Sequence, residues 1–180
     1  MLSNKNLERL ILKNRDFYIL THYKLFLLAS IFLITISSSF AQNKNYVALS
    51  SAVFDVAQQD NPSYETRLEF RIGKVKFFGN PFMGVMMNTG GAMHIYLGLL
   101  YDIPVINRIY ITPSFAPGLY SSRNSKDLKF ALVFQSQLEV SYKFDEGGRI
   151  GISFNHISNA SLGVENPGVE SLAVTYIIPL

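Results

Sequence analysis

Residues 128–144 have the sequence LKFALVFQSQLEVSYKF, and this stretch decides the fold class. Its even positions are mostly apolar, from Leu128 through Phe134 to Phe144, whereas its odd positions are mostly polar or charged. Such alternation is typical of a β-strand with one apolar and one polar face. Because it continues well beyond the usual length of a strand in a soluble protein, the stretch favours a strand that crosses a membrane.

The segment 64–74 repeats the alternation with a more informative polar face. One face carries apolar residues such as Leu68 and Phe70, and the other alternates acids with bases: Glu65, Arg67, Glu69 and Arg71. In a small membrane barrel, a charged face of this kind fills the interior while the apolar face contacts lipid. The alternative is a soluble barrel with its apolar face inward, such as a lipocalin.

Eight strands are predicted in total, separated by segments rich in Gly, Pro, Asn and Asp. Their predicted ranges are 45–56, 63–77, 81–89, 91–102, 107–120, 126–144, 147–158 and 169–180. The fold class is therefore all-β, an eight-stranded antiparallel up-and-down transmembrane β-barrel of the outer membrane. An even strand number places both termini in the periplasm, with periplasmic turns at 102–107 and 145–148. Extracellular loops are then expected at 57–62, 121–127 and 159–168.

The N-terminus predicts export. Lys24 precedes the apolar run 25–36, and small residues at Ser39 and Ala41 follow it. This order is typical of a secretory signal peptide cut after Ala41. A membrane anchor is the alternative, but the run is shorter than the ~20 residues that a spanning helix needs. We therefore expect residues 1–41 to be an N-terminal extension with a cleaved signal, and residues 42–180 to be the barrel.

The composition argues against a disulfide-stabilised domain and against a nucleic-acid-binding protein. The chain has no cysteine, so no disulfide holds the exported domain together. The formal net charge is +3, and the basic residues are scattered, which argues against a nucleic-acid partner. A closed, hydrogen-bonded barrel satisfies these constraints.

The last two predicted strands carry a constellation suited to catalysis. In the seventh strand, His156 and Ser158 continue the apolar, lipid-facing positions, and Glu170 continues those of the eighth. Antiparallel pairing of these strands brings the three side chains together at one end of the outer wall. An imidazole can take a proton from a serine hydroxyl, and a carboxylate can fix the tautomer of the imidazole. Asn159 could then donate to an oxyanion, although a plain interfacial role for these polar residues is the alternative.

The same residues resemble a known family. His156-Ile157-Ser158-Asn159-Ala160 is followed by Asn166-Pro167-Gly168-Val169-Glu170, and together they are similar to the motif of the lipid A 3-O-deacylase family (PagL). That family has a His-x-Ser-Asn core and a glutamate at the interval seen between His156 and Glu170. The similarity is concentrated in residues 128–180.

The resemblance implies an outer-membrane serine esterase that hydrolyses the ester of a 3-hydroxyacyl chain at the 3 position of lipid A. Ser158 would be the nucleophile, His156 the general base and Glu170 its orienting acid. Asn159 and Ser161 would form the oxyanion hole, and Ser161 stands where the family often has glycine. No cofactor and no metal are implied; lipopolysaccharide is the substrate and outer-membrane lipids are the surroundings.

Two alternatives for the function stay open. The ester could belong to another outer-membrane lipid, or the protein could be a non-catalytic structural or adhesive barrel. The sequence leaves open whether the barrel forms a homodimer. Glu165 is a weaker candidate than Glu170 for the acid, and His94 is expected to be a structural residue at the barrel rim.

Overall fold

The structure is a computed structural model that describes residues 44–73 and 79–180. The predicted signal peptide and its cleavage point lie outside the described residues, as do positions 74–77 of the second predicted strand. In the described part of the chain, no helix is long and apolar enough to cross a membrane.

Within the described residues, nine strands form one antiparallel sheet. They are β1 (Tyr46–Phe54), β2 (Ser63–Arg71), β3 (Asn80–Asn88), β4 (Met93–Leu100), β5 (Ile103–Ile106), β6 (Ile109–Ser121), β7 (Leu132–Lys143), β8 (Arg149–Ser158) and β9 (Val169–Pro179). Except for β4 and β5, neighbours in the chain pair with each other; in addition, β1 pairs with β9 and β4 pairs with β6. These pairings close the sheet, so the predicted eight-stranded up-and-down barrel is confirmed.

The additional strand corrects one prediction. The interval 102–107 was expected to be a plain turn, but it contains β5, which pairs only with the start of β6. Closure of the barrel bypasses β5, because Leu99 and Leu100 of β4 pair directly with β6. All four β5 residues are exposed, so the β5–β6 hairpin extends beyond the barrel wall.

Alternation along the strands separates two faces. The outward positions carry large apolar side chains with roughly half of their surface exposed. Leu68, Ile95, Leu138, Ile152 and Val174 expose between 47% and 59%. Such a belt is costly in water but is the surface that a bilayer requires.

The inward positions carry a buried charge network, built on the alternating residues of β2: Glu65, Arg67, Glu69 and Arg71. Arg71 donates to both carboxylate oxygens of Glu139 on β7, at 2.9 and 3.2 Å. Arg67 crosses the interior to Asn155 Oδ1 on β8, at 2.7 Å. The predicted charge lattice therefore lies in the barrel interior, where each buried charge needs such a partner.

The sixth predicted strand begins later than its alternation suggested. It was expected over 126–144, but β7 starts at Leu132. Lys129 has a φ of 59°, which breaks the extended conformation. Leu128 was expected on the lipid-facing side and is instead fully buried at the barrel end. The loop before β7 folds back over the barrel because Leu128 and Lys126 find buried contacts there.

The weak alternation of β3 and β4 also has a structural cause. A Cβ at Gly98 would lie 2.1 Å from the carbonyl oxygen of Phe115, and one at Gly84 would lie 2.6 Å from the Tyr96 ring. Both glycines are therefore required by close approach. His94, the second residue of β4, is buried inside the barrel, with its ring centroid 4.8 Å from that of Tyr96.

Candidate active site

The three polar residues predicted to converge lie at one end of the barrel, where β8 ends and β9 begins. Asn45, Leu180 and the 145–148 turn lie at the opposite end, where Leu180 N–H bonds to the Asn45 carbonyl. His156 is paired in register with Glu170. Ser158 lies one outward position beyond His156 on the same strand.

His156 and Glu170 are in direct contact. The Nδ1 atom of His156 lies 2.9 Å from Oε1 of Glu170. The histidine side chain is 40% exposed and that of the glutamate 17%, so the pair is shielded on the carboxylate side and open on the imidazole side. A carboxylate on Nδ1 selects the tautomer that has its proton on Nδ1, which leaves Nε2 free to accept a proton.

Ser158 is partly exposed and is paired in register with Phe134. Within the described residues, the Ser158 hydroxyl forms no hydrogen bond to His156. A nucleophile and its base are often loosely aligned until substrate binds, because the substrate completes the arrangement.

A second serine lies on the same surface and was not among the predicted site residues. Ser136 on β7 is exposed and is paired in register directly with His156. The outward row therefore runs from Glu170 through His156 to Ser136 across three strands. Sequence alternation could have revealed it, since Ser136 is a polar residue among the apolar outward positions of β7.

A tight turn follows Ser158. Leu162 N–H donates to the Asn159 carbonyl at 3.0 Å, and both central residues have positive φ, 51° at Ala160 and 62° at Ser161. Glycine or asparagine normally fills such positions, because a Cβ is strained there by about 1–2 kcal/mol per residue. The hydrogen bond of such a turn uses the N–H of its fourth residue and neither of the two central N–H groups. In the described part of the chain, neither N–H has another acceptor.

Asn159 holds this turn in place. Its side chain is buried, and its amide nitrogen donates to the carbonyls of Leu128 at 2.9 Å and Glu165 at 2.7 Å. Its backbone N–H donates to Asn166 Oδ1 at 3.1 Å. Both amide protons of the side chain are thus used, so the free donors beside Ser158 are the backbone N–H groups of Ala160 and Ser161.

The loop 122–131 connects the site to the end of β1, the strand that pairs with β9. Lys126 Nζ donates to Asp55 Oδ1 at 2.8 Å, and both side chains are buried. Burial of Asp55 opposes its ionisation, but the Lys126 ammonium and the Asn61 N–H outweigh this and hold the pKa of Asp55 below its ordinary value. Through Leu128 and Asn159, this ion pair braces the turn that follows Ser158.

Aromatic side chains border the site on the β7 side. The rings of Phe115 and Phe134 stack with centroids 5.9 Å apart and planes within 15°. Phe134 is the cross-strand partner of Ser158. A long acyl chain would therefore find an apolar surface next to the hydroxyl. Among residues 44–73 and 79–180, no group of three or more His, Cys, Asp or Glu side chains is arranged to hold a metal ion.

Comparison with known proteins identifies a family that the chain resembles. The family model of lipid A 3-O-deacylase (PagL) matches residues 104–179, which include every predicted site residue. The resemblance to the PagL family is confirmed. The match begins upstream of the 128–180 segment in which the motifs lie.

A curated relative of this PagL-like barrel is the lipid A deacylase PagL of Bordetella bronchiseptica. The two are 28% identical over 71 residues, which are 38% of this chain and 40% of that protein. The chain thus spans less than half the length of this relative in the matched region.

Solved structures support the fold. A crystal structure of the outer membrane enzyme PagL superposes with a TM-score of 0.58 at 23% identity, covering 74% of this chain and 99% of that one. Neisserial surface protein A gives a TM-score of 0.53 at 9% identity, covering 76% and 96%. A de novo designed transmembrane β-barrel gives 0.57 at 7% identity, covering 77% and 96%. The chain therefore has the fold of an outer-membrane β-barrel.

Proposed function

We propose that this protein is an outer-membrane ester hydrolase that removes the 3-O-linked 3-hydroxyacyl chain of lipid A. The observation that carries the proposal is the His156–Glu170 hydrogen bond on the lipid-facing wall, beside the Ser158 hydroxyl. A hydrogen-bonded acid and base gain nothing from contact with lipid, since burial of polar groups in an apolar phase is unfavourable. The unfavourable free energy of placing these polar groups against lipid is explained if they act on a lipid.

The mechanism follows from the order of the groups. His156 Nε2 takes the Ser158 proton while the hydroxyl oxygen attacks the acyl carbonyl carbon. Glu170 stabilises the imidazolium that forms. Collapse of the tetrahedral intermediate breaks the ester bond, and the imidazolium returns the proton to the departing sugar oxygen. Water, activated by the same imidazole, then releases the fatty acid from Ser158.

The oxyanion is assigned to the turn after Ser158. The Ser161 N–H, with the Ala160 N–H beside it, is free to donate to the developing negative charge. Asn159 contributes by fixing this turn through its bonds to Leu128 and Glu165, rather than by its own side-chain amide. Ser161 in place of glycine is compatible with this role, because only the backbone N–H is needed.

The location of the site suits an amphiphilic substrate. The outward belt keeps the barrel in the bilayer, and the site lies at the end opposite Asn45 and Leu180. With the termini in the periplasm, that end faces the outer leaflet, where lipid A resides. Residues 1–41 would supply the export signal and be removed after Ala41. The substrate could then react without leaving the membrane.

The experiment compares two serines on the same surface. The purified protein in detergent is incubated with lipid A, and released 3-hydroxy fatty acid is quantified for the wild type, Ser158→Ala and Ser136→Ala. We expect Ser158→Ala to lose at least about 10³-fold in rate, because the nucleophile is gone, and Ser136→Ala to retain activity. The proposal fails if the wild type releases no fatty acid while folded, which would favour another lipid ester or a non-catalytic barrel.

A crossed result would be equally informative. If Ser136→Ala abolished release and Ser158→Ala did not, the nucleophile would be the serine on β7. Each variant lacks one hydroxyl on the same outward face, so a difference in activity between the two variants is not expected to come from a difference in folding. Retention of the compact barrel is checked by its heat-dependent migration in a denaturing gel.

A further inference from the structure

Gly168 approaches the imidazole of His156 more closely than any side chain would allow. A Cβ built at Gly168 would lie 2.5 Å from Cε1 of His156, and 3.4 Å from each of Nδ1 and Nε2. Carbon atoms in contact are normally 3.5–4.0 Å apart. An alanine at this position would therefore displace either the ring or the backbone.

These three distances define the direction of contact. The Cβ position built at Gly168 is equally far from the two ring nitrogens of His156 and nearest to Cε1, the carbon between them. A point above the ring face, at the same distance from Cε1, would lie closer to both nitrogens. Gly168 thus lies in front of the ring edge, along the Cε1–H bond, between the nitrogen that bonds Glu170 and the nitrogen that faces the substrate.

Backbone conformation does not explain the glycine. The glycines with a left-handed φ in the described residues are Gly79, Gly91 and Gly147, and Gly168 is not among them. An L-residue could adopt its backbone angles. What an L-residue lacks at this position is space, and the space is occupied by His156.

We propose that Gly168 is a positioning residue that fixes the rotation of the His156 imidazole in its plane. Contact at Cε1 prevents the ring from sliding toward the 159–168 loop, which keeps Nδ1 on Glu170 and leaves Nε2 toward Ser158. Gly168 itself touches neither the substrate nor the reacting atoms. The proposal rests on the proposed function for its kinetic consequence, and on geometry alone for its structural one.

The kinetic test is Gly168→Ala. A misplacement of the base by about 1 Å can reduce a rate by about 10²-fold. We expect kcat for fatty-acid release to fall by about that factor with KM little changed, because the acyl-binding surface is untouched. The matched control is Gly148→Ala, whose new methyl would meet only ordinary contacts at 3.5 Å and beyond, at the other end of the barrel. Equal kcat values for the two variants would overturn the proposal.

A second test needs no catalysis. In protein labelled with ¹⁵N at the histidine ring nitrogens, the Nδ1–H proton of His156 should give a hydrogen-bonded, low-field signal. We expect that signal to be lost in Gly168→Ala, as in Glu170→Ala, and kept in Gly148→Ala. If the wild type hydrolyses no ester but this pattern is seen, the proposed function fails and the positioning role stands. An unchanged signal in Gly168→Ala overturns the positioning role.

A double-mutant cycle covers the case in which Gly168→Ala folds poorly. If the methyl group clashes only with the imidazole, Gly168→Ala should destabilise the wild type but not a His156→Ala background. Unfolding in urea measures both differences. Equal destabilisation in the two backgrounds would show that the clash lies elsewhere and would refute the inference.

Discussion

Replacing Glu170 by glutamine removes one charge from the candidate site while nearly preserving its shape. The amide oxygen of Gln can still accept the Nδ1–H of His156, so the hydrogen bond of 2.9 Å need not be lost. What disappears is the negative charge that stabilises the imidazolium formed when Ser158 gives up its proton. The substitution therefore acts on the transition state and leaves the resting barrel intact.

The magnitude follows from the type of bond. Hydrogen bonds to charged groups contribute about 1.5–3 kcal/mol and neutral ones about 0.5–1.5 kcal/mol, so the charge is worth about 1–2 kcal/mol. The imidazole is 40% exposed, which screens the pair and excludes the larger values typical of dry sites. At about 1.4 kcal/mol for each tenfold change in rate, kcat should fall by about 5- to 30-fold, with KM nearly constant.

The assay is steady-state release of fatty acid from lipid A in detergent. Glu165→Gln is the matched control, because Glu165 is an exposed carboxylate in the loop before β9 and its backbone carbonyl, not its side chain, contacts Asn159. We expect Glu165→Gln to change kcat by less than about twofold, as surface charges usually do. The reasoning is refuted if Glu170→Gln matches the wild type, or if Glu165→Gln has the larger effect.

Two further predictions concern the loops around the site. Ser161→Gly should raise the free energy of unfolding by about 1 kcal/mol, because it relieves the strain of a side chain at a φ of 62°. The variant should leave kcat unchanged, because the backbone N–H remains. Urea unfolding in detergent tests the first part and the release assay the second, and a lower free energy of unfolding would contradict the strain argument. Lys126→Met should lower the free energy of unfolding by about 1–2 kcal/mol at pH 7, since it leaves the buried Asp55 carboxylate without its charged donor. Because the pKa of Asp55 is depressed in the folded state, this stabilisation is present above pH 3.8 and is lost as the pH falls through the folded-state pKa. The difference in the free energy of unfolding between wild type and Lys126→Met should therefore disappear at low pH. A difference that persists there would contradict the prediction.

Much of the fold could be predicted because a barrel wall imposes one rule on every strand. Alternation located the outward and inward faces, and the charged face of β2 does lie inside. The rule fails where alternation continues past the end of a strand. Leu128 and Phe130 extend the pattern of β7, yet the residue between them has a φ of 59° and Leu128 turns inward. A period of two in sequence cannot distinguish an extended strand from a loop that happens to alternate.

The candidate site was predictable to the same extent. Strand parity and antiparallel pairing place Glu170 beside His156, and the structure has them in register and in contact. The roles of Asn159 and Gly168 could not be derived in this way, because they depend on the path of the 159–168 loop. The buried amide of Asn159 and the absent side chain of Gly168 have meaning only once their neighbours are known.

The distribution of strained backbone also escapes sequence analysis. Positive φ values at residues other than glycine occur in three loops at the site end of the barrel, within the described residues: Asp55, Gln59, Arg123, Lys129, Ala160 and Ser161. Strain of this kind persists only where surrounding contacts over-determine the conformation, and it concentrates at functional sites. The Lys126–Asp55 pair and the Asn159 amide supply such contacts here.

The most direct test of the central claim is the mass spectrum of lipid A from cells that express the full chain, compared with cells that express Ser158→Ala at the same level in the outer membrane. We predict that lipid A from the first cells loses the mass of one 3-hydroxyacyl chain from the 3 position, and that lipid A from the second cells does not. Identical spectra from the two, with both barrels folded, would contradict the assignment of this protein as a lipid A deacylase that uses Ser158.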